Sequence, residues 1–193
     1  AGVILASLWT SPLSAQTSGT DGATPPQVQA CLESEPSSDP AASLALCREA
    51  LPLAQTDEDR ALVHLWMAFA LVSTGQLDDA IAATDQAAAL QPTTGVRNAQ
   101  ARMRLLAERF DEALGFAEAG LRDDPESIEL RSTRAELFIA MGRGSDVIPD
   151  LERLHRERPD DIDLTVTLID LLHDAGQPKK RDQILDRAIA RAP

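Results

Sequence analysis

The sequence predicts an all-α fold in which antiparallel helix pairs stack side by side. Alanine and leucine dominate the apolar residues, which make up 44% of the chain, whereas aromatic residues make up 3% and tyrosine is absent. Sheets favour aromatic and β-branched residues, so this composition suits closely packed helices. A repeat of about 34 residues, visible from position 57 onward, indicates that the helices come in pairs that stack side by side.

The segment 1–15 resembles the second half of a secretory signal peptide. Positions 2–9 form a short apolar run, and small and polar residues follow up to Ala15, a suitable last residue before cleavage. The run is too short for a membrane-spanning helix. We therefore expect a periplasmic or secreted protein with no stable membrane insertion after cleavage; the alternative is an unrelated apolar tail.

Residues 16–26 are polar, rich in glycine and proline and non-periodic, which predicts a flexible linker. Residues 27–56 are expected to form an atypical capping hairpin with helices at about 27–34 and 40–55. Cys31 and Cys47 lie on either side of its turn. A disulfide between them would stabilise the hairpin by about 3 kcal/mol in the chain-entropy model and would suit an oxidising compartment. The alternative is two unpaired, buried thiols.

The repeat is marked by prolines at nearly constant intervals. They are one repeat apart, to within a single position, and comprise Pro92, Pro125, Pro159 and Pro193. Small or apolar residues recur before each proline, where they would let two helices approach closely. A glycine that precedes most of these prolines by half a repeat would end the first helix of each pair, and the proline itself would close the second.

These positions resemble the tetratricopeptide repeat (TPR) family, whose unit is a helix, a turn and a helix in about 34 residues. The resemblance covers 57–193 as four repeats, 61–94, 94–127, 128–161 and 162–193. The matching residues are Ala68, Leu71, Gly75, Leu77, Ala80, Ala87 and Pro92 in the first repeat, Ala101, Phe110, Ala113 and Pro125 in the second, Ala135, Gly142 and Pro159 in the third, and Gly176, Leu185, Ala188 and Pro193 in the fourth. The departures are Glu108 at a turn glycine, Gly144 and Pro178 at apolar positions, and Arg181 at an alanine.

The resemblance implies that the helix pairs form a right-handed superhelix with a concave groove, which is lined by first-helix residues one turn apart. Carried onto this sequence, the groove would be apolar at its N-terminal end and polar to acidic at its C-terminal end, so it would suit a partner with an apolar anchor and basic groups. Leu62 and Val72 would also line it in the first repeat, and Val166 in the fourth. The partner-binding residues would be Leu65, Phe69, Asn98, Arg102, Leu105, Ser132, Glu136, Ile139, Asp170 and His173. The alternative for Leu62, Leu65 and Phe69 is burial against the Cys31–Cys47 hairpin.

The residues that usually carry catalysis are not arranged for it. The chain has no glycine-rich phosphate loop, no G-x-S-x-G and no H-E-x-x-H motif. His64 and His155 fall on distant repeats, and the pair Asp170 and His173 supplies two potential ligands, too few for a metal site. We therefore expect no enzyme activity, no metal and no cofactor.

The net charge of −13 argues against nucleic acid as a partner, because phosphates repel an acidic chain that has no basic stripe. The same charge would attract a basic partner. The sequence thus predicts a non-catalytic scaffold that binds a partner protein or peptide in a TPR groove. The alternatives are a self-associating structural module and the non-catalytic repeat portion of a larger envelope or biogenesis factor.

Overall fold

The protein is described by a computed structural model over residues 24–191. The predicted signal remnant at 1–15, most of the linker and Pro193 lie outside this range. Within the range the regular structure is helical and no strand occurs, and none of its helices is both long enough and apolar enough to cross a bilayer. The helices are α1 (Pro26–Leu32), α2 (Pro40–Ala50), a short 3-10 helix (Leu51–Leu53), α3 (Asp57–Ser73), α4 (Leu77–Leu90), α5 (Thr94–Leu106), α6 (Phe110–Asp123), α7 (Ile128–Ala140), α8 (Gly144–Glu157), α9 (Ile162–Asp174) and α10 (Pro178–Arg191).

The helices pack in consecutive pairs. The pairs are α1 with α2, α3 with α4, α5 with α6, α7 with α8, and α9 with α10. The second helix of each pair also packs against the first helix of the next pair, so the chain builds a row and not a closed bundle. The predicted all-α stack of helix pairs is therefore confirmed.

From α3 onward, the turn inside each pair is three residues long and has the same backbone conformation. Its middle residue is left-handed, with φ of +77° at Gly75, +71° at Gly142 and +65° at Gly176. Glu108 occupies the equivalent position between α5 and α6 and adopts φ of +58° despite its side chain. The repeat geometry therefore overrides the preference of this residue, because non-glycine residues disfavour the left-handed region.

The connections between pairs use a second local device. Each first helix from α3 to α9 begins with a side-chain cap, in which Thr56, Thr93, Ser127 or Asp161 accepts a hydrogen bond from the backbone N–H three positions later. Such a cap satisfies one of the unpaired N–H groups at a helix start. The recurring prolines Pro92, Pro125 and Pro159 fall in these same connections, where the chain leaves one pair and enters the next.

Small residues allow the helices to come close together, as predicted. Ala80, Ala87 and Ala113 are completely buried. At Gly120 on α6, an added Cβ would lie 2.5 Å from a methyl group of Leu130 on α7. A methyl group cannot be accommodated there unless Leu130 moves, so glycine at this position sets how closely α6 and α7 approach.

The N-terminal hairpin carries the predicted disulfide. Cys31 and Cys47 are bonded, both are fully buried, and they join α1 to α2. The indole Nε1 of Trp66 on α3 donates a hydrogen bond to the backbone oxygen of Ser34 at 3.3 Å, which links the hairpin to the first pair of the array. α2 ends at Ala50 and not at the expected position 55, since Pro52 lacks the N–H that would extend it. α1 begins one residue before the expected 27–34 and ends two residues before its end.

Replacing Glu108 by glycine should raise the free energy of unfolding by about 0.5–1 kcal/mol, because the left-handed backbone no longer strains a side chain. The reverse change, Gly142→Ala, should lower it by about 1 kcal/mol. No atom lies near the Cβ that this alanine would add, so its effect comes from the backbone alone. Urea unfolding followed by circular dichroism measures both. A Glu108→Gly variant that is no more stable than the parent contradicts the prediction.

Candidate functional site: the inner row of first helices

The first helices lie on the inner side of the stack. Within the described range, α3 approaches α5 directly and α5 approaches α7, whereas successive second helices do not approach one another. A row whose first helices are closer together than its second helices curves toward the first helices. We call the side chains that α3, α5, α7 and α9 present to this side the inner row.

The two predicted groove residues on α3 differ in accessibility. Leu65 is only 3% exposed and packs with Ala87, Val96 and Ala99, so it belongs to the core between α3, α4 and α5. Leu65 therefore does not line the groove surface as predicted, because the neighbouring helix pair covers it. The alternative, burial against the disulfide hairpin, does not apply to Leu65 either, because the hydrophobic cluster of the hairpin does not include it. Phe69 is half-buried and makes an edge-to-face contact with Trp66, with ring centroids 6.2 Å apart.

Polar side chains bridge α5 and α7 along the inner row. The hydroxyl of Thr133 donates to the side-chain oxygen of Asn98 at 2.7 Å. One turn further along, Arg102 Nη1 lies 3.6 Å from Glu136 Oε2, with the two side chains 22% and 18% exposed. These contacts hold the two helices in register and occupy Asn98, Arg102 and Glu136 within the protein itself.

The carboxyl group of Glu136 is electrostatically unusual. Burial raises its pKa, because removal from water disfavours the charged form, and the nearby Arg102 guanidinium lowers it in part. The burial effect is the larger of the two. Glu136 is thus a partly desolvated acid whose charge a second cation would help to stabilise.

The remaining predicted residues on α5 and α7 are more varied. Leu105 is half-buried against the core between α5 and α6. Ser132 accepts a hydrogen bond from Arg158 Nη2 at 3.1 Å. Ile139 is 41% exposed, which is high for a large apolar side chain and leaves it available for contact with another molecule.

The α9 segment of the inner row is largely open. Asp170 is exposed, and Val166 is 51% exposed. The Nδ1 atom of His173 lies 3.2 Å from Arg181 Nη1 on α10, so the neighbour of this imidazole is a cation and not a metal-binding partner. Within residues 24–191, no group of three or more histidine, cysteine, aspartate or glutamate side chains is arranged to hold a metal ion.

Two surface pockets lie away from most of the inner row. One, of about 570 Å³, is formed by the turn at 108–112 together with Ala140 and Met141. The other, of about 250 Å³, is formed by His173, Gly176, Pro178 and Arg181. Both are at the edge where the pairs turn, and the row itself is an open surface.

Sequence reasoning missed two residues that shape this surface, Thr133 and Arg158. Thr133 directly follows a predicted groove position and contacts Asn98, which belongs to the preceding repeat. Asn98 and Thr133 are separated by one repeat plus one position, and a search for polar pairs at this separation could have identified Thr133. Arg158 precedes a recurring proline, but no periodic feature of the sequence indicates that its side chain reaches Ser132.

Comparisons with known proteins bear on the fold. No family model and no curated protein matches the chain. Among solved structures, a MamA RS-1 double mutant superposes with a TM-score of 0.68 at 14% identity, covering 87% of this chain and 96% of that one. A putative kinesin light chain from Podosopora anserina with nearly identical TPR-like repeats superposes with a TM-score of 0.64 at 14% identity, covering 85% of this chain and 92% of that one. YrrB, described as a TPR protein with an unusual peptide-binding site, superposes with a TM-score of 0.59 at 15% identity, covering 79% of this chain and 77% of that one.

The Glu136→Gln variant should change how stability depends on pH. Because folding raises the pKa of Glu136 above its ordinary 4.5, the folded state binds more protons than the unfolded state between these two values. The free energy of unfolding of the parent should therefore fall as pH rises from about 4.5 through the folded pKa. Glutamine cannot ionise, so the variant lacks this loss.

Urea unfolding of parent and variant at a series of pH values between about 4 and 7 measures the difference. Glu58→Gln, which removes an exposed carboxylate on α3, is the matched control for the loss of one negative charge. A constant stability difference between the Glu136→Gln variant and the parent across this range refutes the assignment.

Proposed function

We propose that this TPR-like array is a non-catalytic scaffold that binds a segment of a partner protein along its inner row. The observation that carries the proposal is the inner row itself, an open surface on which α5 and α7 are fixed by polar bridges while large apolar side chains of α7 and α9 remain exposed. A preformed surface of this kind binds a partner without a large ordering cost.

The fold supports the same conclusion by analogy. The TPR-like structures that resemble this chain include YrrB, which is described as having a peptide-binding site. A shared fold does not by itself assign a function. The proposal therefore depends on the exposed and charged side chains of this chain, and the analogy only indicates which face to consider.

A basic partner fits the charge of the molecule. The chain has 31 acidic and 18 basic side chains, a net charge of −13, and the inner row includes Glu136 and Asp170. A field of this sign accelerates the approach of a positively charged segment and disfavours nucleic acid. Specific binding would then depend on contacts within the inner row.

Two of the three histidines are not placed for acid–base or nucleophilic catalysis, which supports a non-catalytic scaffold. His155 Nδ1 lies 3.1 Å from the Thr165 hydroxyl, but both residues are buried between α8 and α9, where a substrate cannot reach them. His173 lies beside Arg181. Neither arrangement resembles an accessible nucleophile activated by a neighbouring base.

We propose a periplasmic location for the protein on two grounds. The apolar run at residues 2–9 is followed by small residues suitable for signal cleavage. The disulfide between Cys31 and Cys47 is fully buried in the hairpin core, and structural disulfides persist in oxidising compartments. A partner would accordingly be an envelope or exported protein.

Self-association is a second candidate function, and one observation favours it. The last pair exposes four large apolar side chains, Ile162, Val166, Leu185 and Ile189. Exposed apolar groups of this kind are typical of interfaces, and a second copy of the chain could cover them.

Capture of the partner on the immobilised protein tests the scaffold proposal. Phe69→Ala and Ile139→Ser should each weaken binding of the captured protein at least about tenfold, or about 1.4 kcal/mol, since each removes an apolar inner-row contact. Leu46→Ser is the matched control, because Leu46 on α2 is 39% exposed against 41% for Ile139 but lies outside the inner row. Thermal melts verify that each variant is folded. Equal retention by all three variants removes the inner row from the mechanism.

Light scattering over a wide concentration range tests the second candidate. If the chain self-associates, its mass should rise with concentration. In the Ile189→Ser variant the mass should stay close to that of one chain, because the substitution removes the most exposed apolar side chain of α10. A mass equal to that of one chain at every concentration rejects self-association.

A further inference from the structure

The inner row changes character between its third and fourth helices. No Cα atom of α7 lies within 8 Å of a Cα atom of α9, although both helices are fully described and although α3–α5 and α5–α7 approach within that distance. We call the surface formed by Glu136, Ile139, Ile162, Val166 and Asp170 the α7–α9 seam.

The residues that close the α5–α7 interface are replaced at the seam. Arg102 of α5 pairs with Glu136 of α7, and these positions are one repeat apart. One repeat later, the same positions are occupied by Glu136 and Asp170. Two carboxylates cannot form the bridge that a guanidinium and a carboxylate form, and like charges repel each other. The periodic bridge is therefore lost at this step of the array.

Apolar side chains remain uncovered at the same place. Ile162 is 76% exposed, Val166 is 51% exposed and Ile139 is 41% exposed. Ile162 and Val166 are one turn apart on α9, so they form a single apolar stripe. An exposed apolar stripe beside a missing helix contact has the features of a surface that binds another chain.

The charges around this stripe favour a positive partner. On α9, Asp163, Asp170 and Asp174 are exposed, and none of them forms an ion pair within the described residues. Three basic groups border the seam. Arg102 lies 3.6 Å from Glu136, at the α5 side of the seam. Arg158 is directed at Ser132, and Arg181 lies beside His173 and pairs with Asp182. The acidic groups therefore dominate the middle of the seam, where the apolar stripe is.

From this juxtaposition we infer that the α7–α9 seam binds a segment of the partner protein that carries apolar residues together with lysine or arginine. An apolar side chain of the partner covers Val166 and Ile162, and its cation lies between Glu136 and Asp170. The cation restores the bridge that the repeat pattern has lost. This inference rests on the proposed scaffold function and specifies which segment the scaffold recognises.

The test uses two fluorescein-labelled peptides of equal length, one built from leucine, lysine and glutamine and the other with glutamate in place of every lysine. Fluorescence anisotropy at physiological ionic strength measures their binding to the protein. We expect the parent to bind the lysine peptide at least about tenfold more tightly than the glutamate peptide. Val166→Ser should weaken the lysine peptide severalfold, and Asp170→Lys should reverse the preference between the two peptides.

The matched control for Asp170→Lys is Glu49→Lys. Glu49 is an exposed acid on α2, at the opposite end of the array, and its substitution changes the net charge by the same amount. Retention of the lysine preference in Glu49→Lys, together with its reversal in Asp170→Lys, supports the inference. An equal response of the two variants attributes binding to net charge and overturns it, as does a parent that binds neither peptide.

Two further outcomes separate this inference from the scaffold proposal. If the captured partner depends on Phe69 and Ile139 but not on Val166 and Asp170, the seam is wrong and the scaffold stands. If Val166→Ser instead abolishes a concentration-dependent rise in mass, a second copy of the chain occupies the seam, and the inference of a basic partner segment fails.

Discussion

The whole array depends on one backbone position, the middle residue of the three-residue turn inside each helix pair. The left-handed conformation there brings the second helix back along the first, so that small side chains meet and the next pair can stack. At Gly75, Gly142 and Gly176 the sequence supplies the residue that tolerates this conformation. At Glu108 it does not, and the conformation is nevertheless kept. Packing on both sides of the turn therefore outweighs the local preference of a single residue.

Stacking converts this local geometry into a surface whose properties vary along the array. Between α5 and α7 the polar side chains pair with one another, so these pairs hold the two helices together. Between α7 and α9 the equivalent positions carry two acids and the helices do not meet. The same repeat positions thus contribute internal cohesion between α5 and α7 and, in our proposal, recognition of a partner between α7 and α9.

The fold could be predicted from the sequence because it is periodic and local. Prolines and turn glycines recur at intervals that no other helical architecture explains as simply, and each repeat contacts only its neighbours. The site was harder to predict. Leu65 has the spacing of a groove residue, but whether a side chain at that spacing is accessible depends on how closely the next helix approaches, and here α5 covers it. The pairing of Arg102 with Glu136 likewise depends on the offset between two stacked helices, which repeat spacing alone does not give. The helix predicted at 40–55 is longer than α2 because the 3-10 turn that includes Pro52 has no periodic signal.

The disulfide makes the N-terminal hairpin differ from the other helix pairs, because it joins the two helices of the hairpin covalently. A row in which each unit contacts only its neighbours loses its end units first, because these have one partner instead of two. At the N-terminal end, the covalent bond between Cys31 and Cys47 keeps the short helix α1 attached to α2, although a helix of that length is unstable alone. Within residues 24–191, α9 and α10 have no such bond and are held by packing against α8 and each other. The hairpin therefore stays linked when its packing is transiently lost, whereas α9 and α10 can separate from α8 and from each other by loss of packing alone.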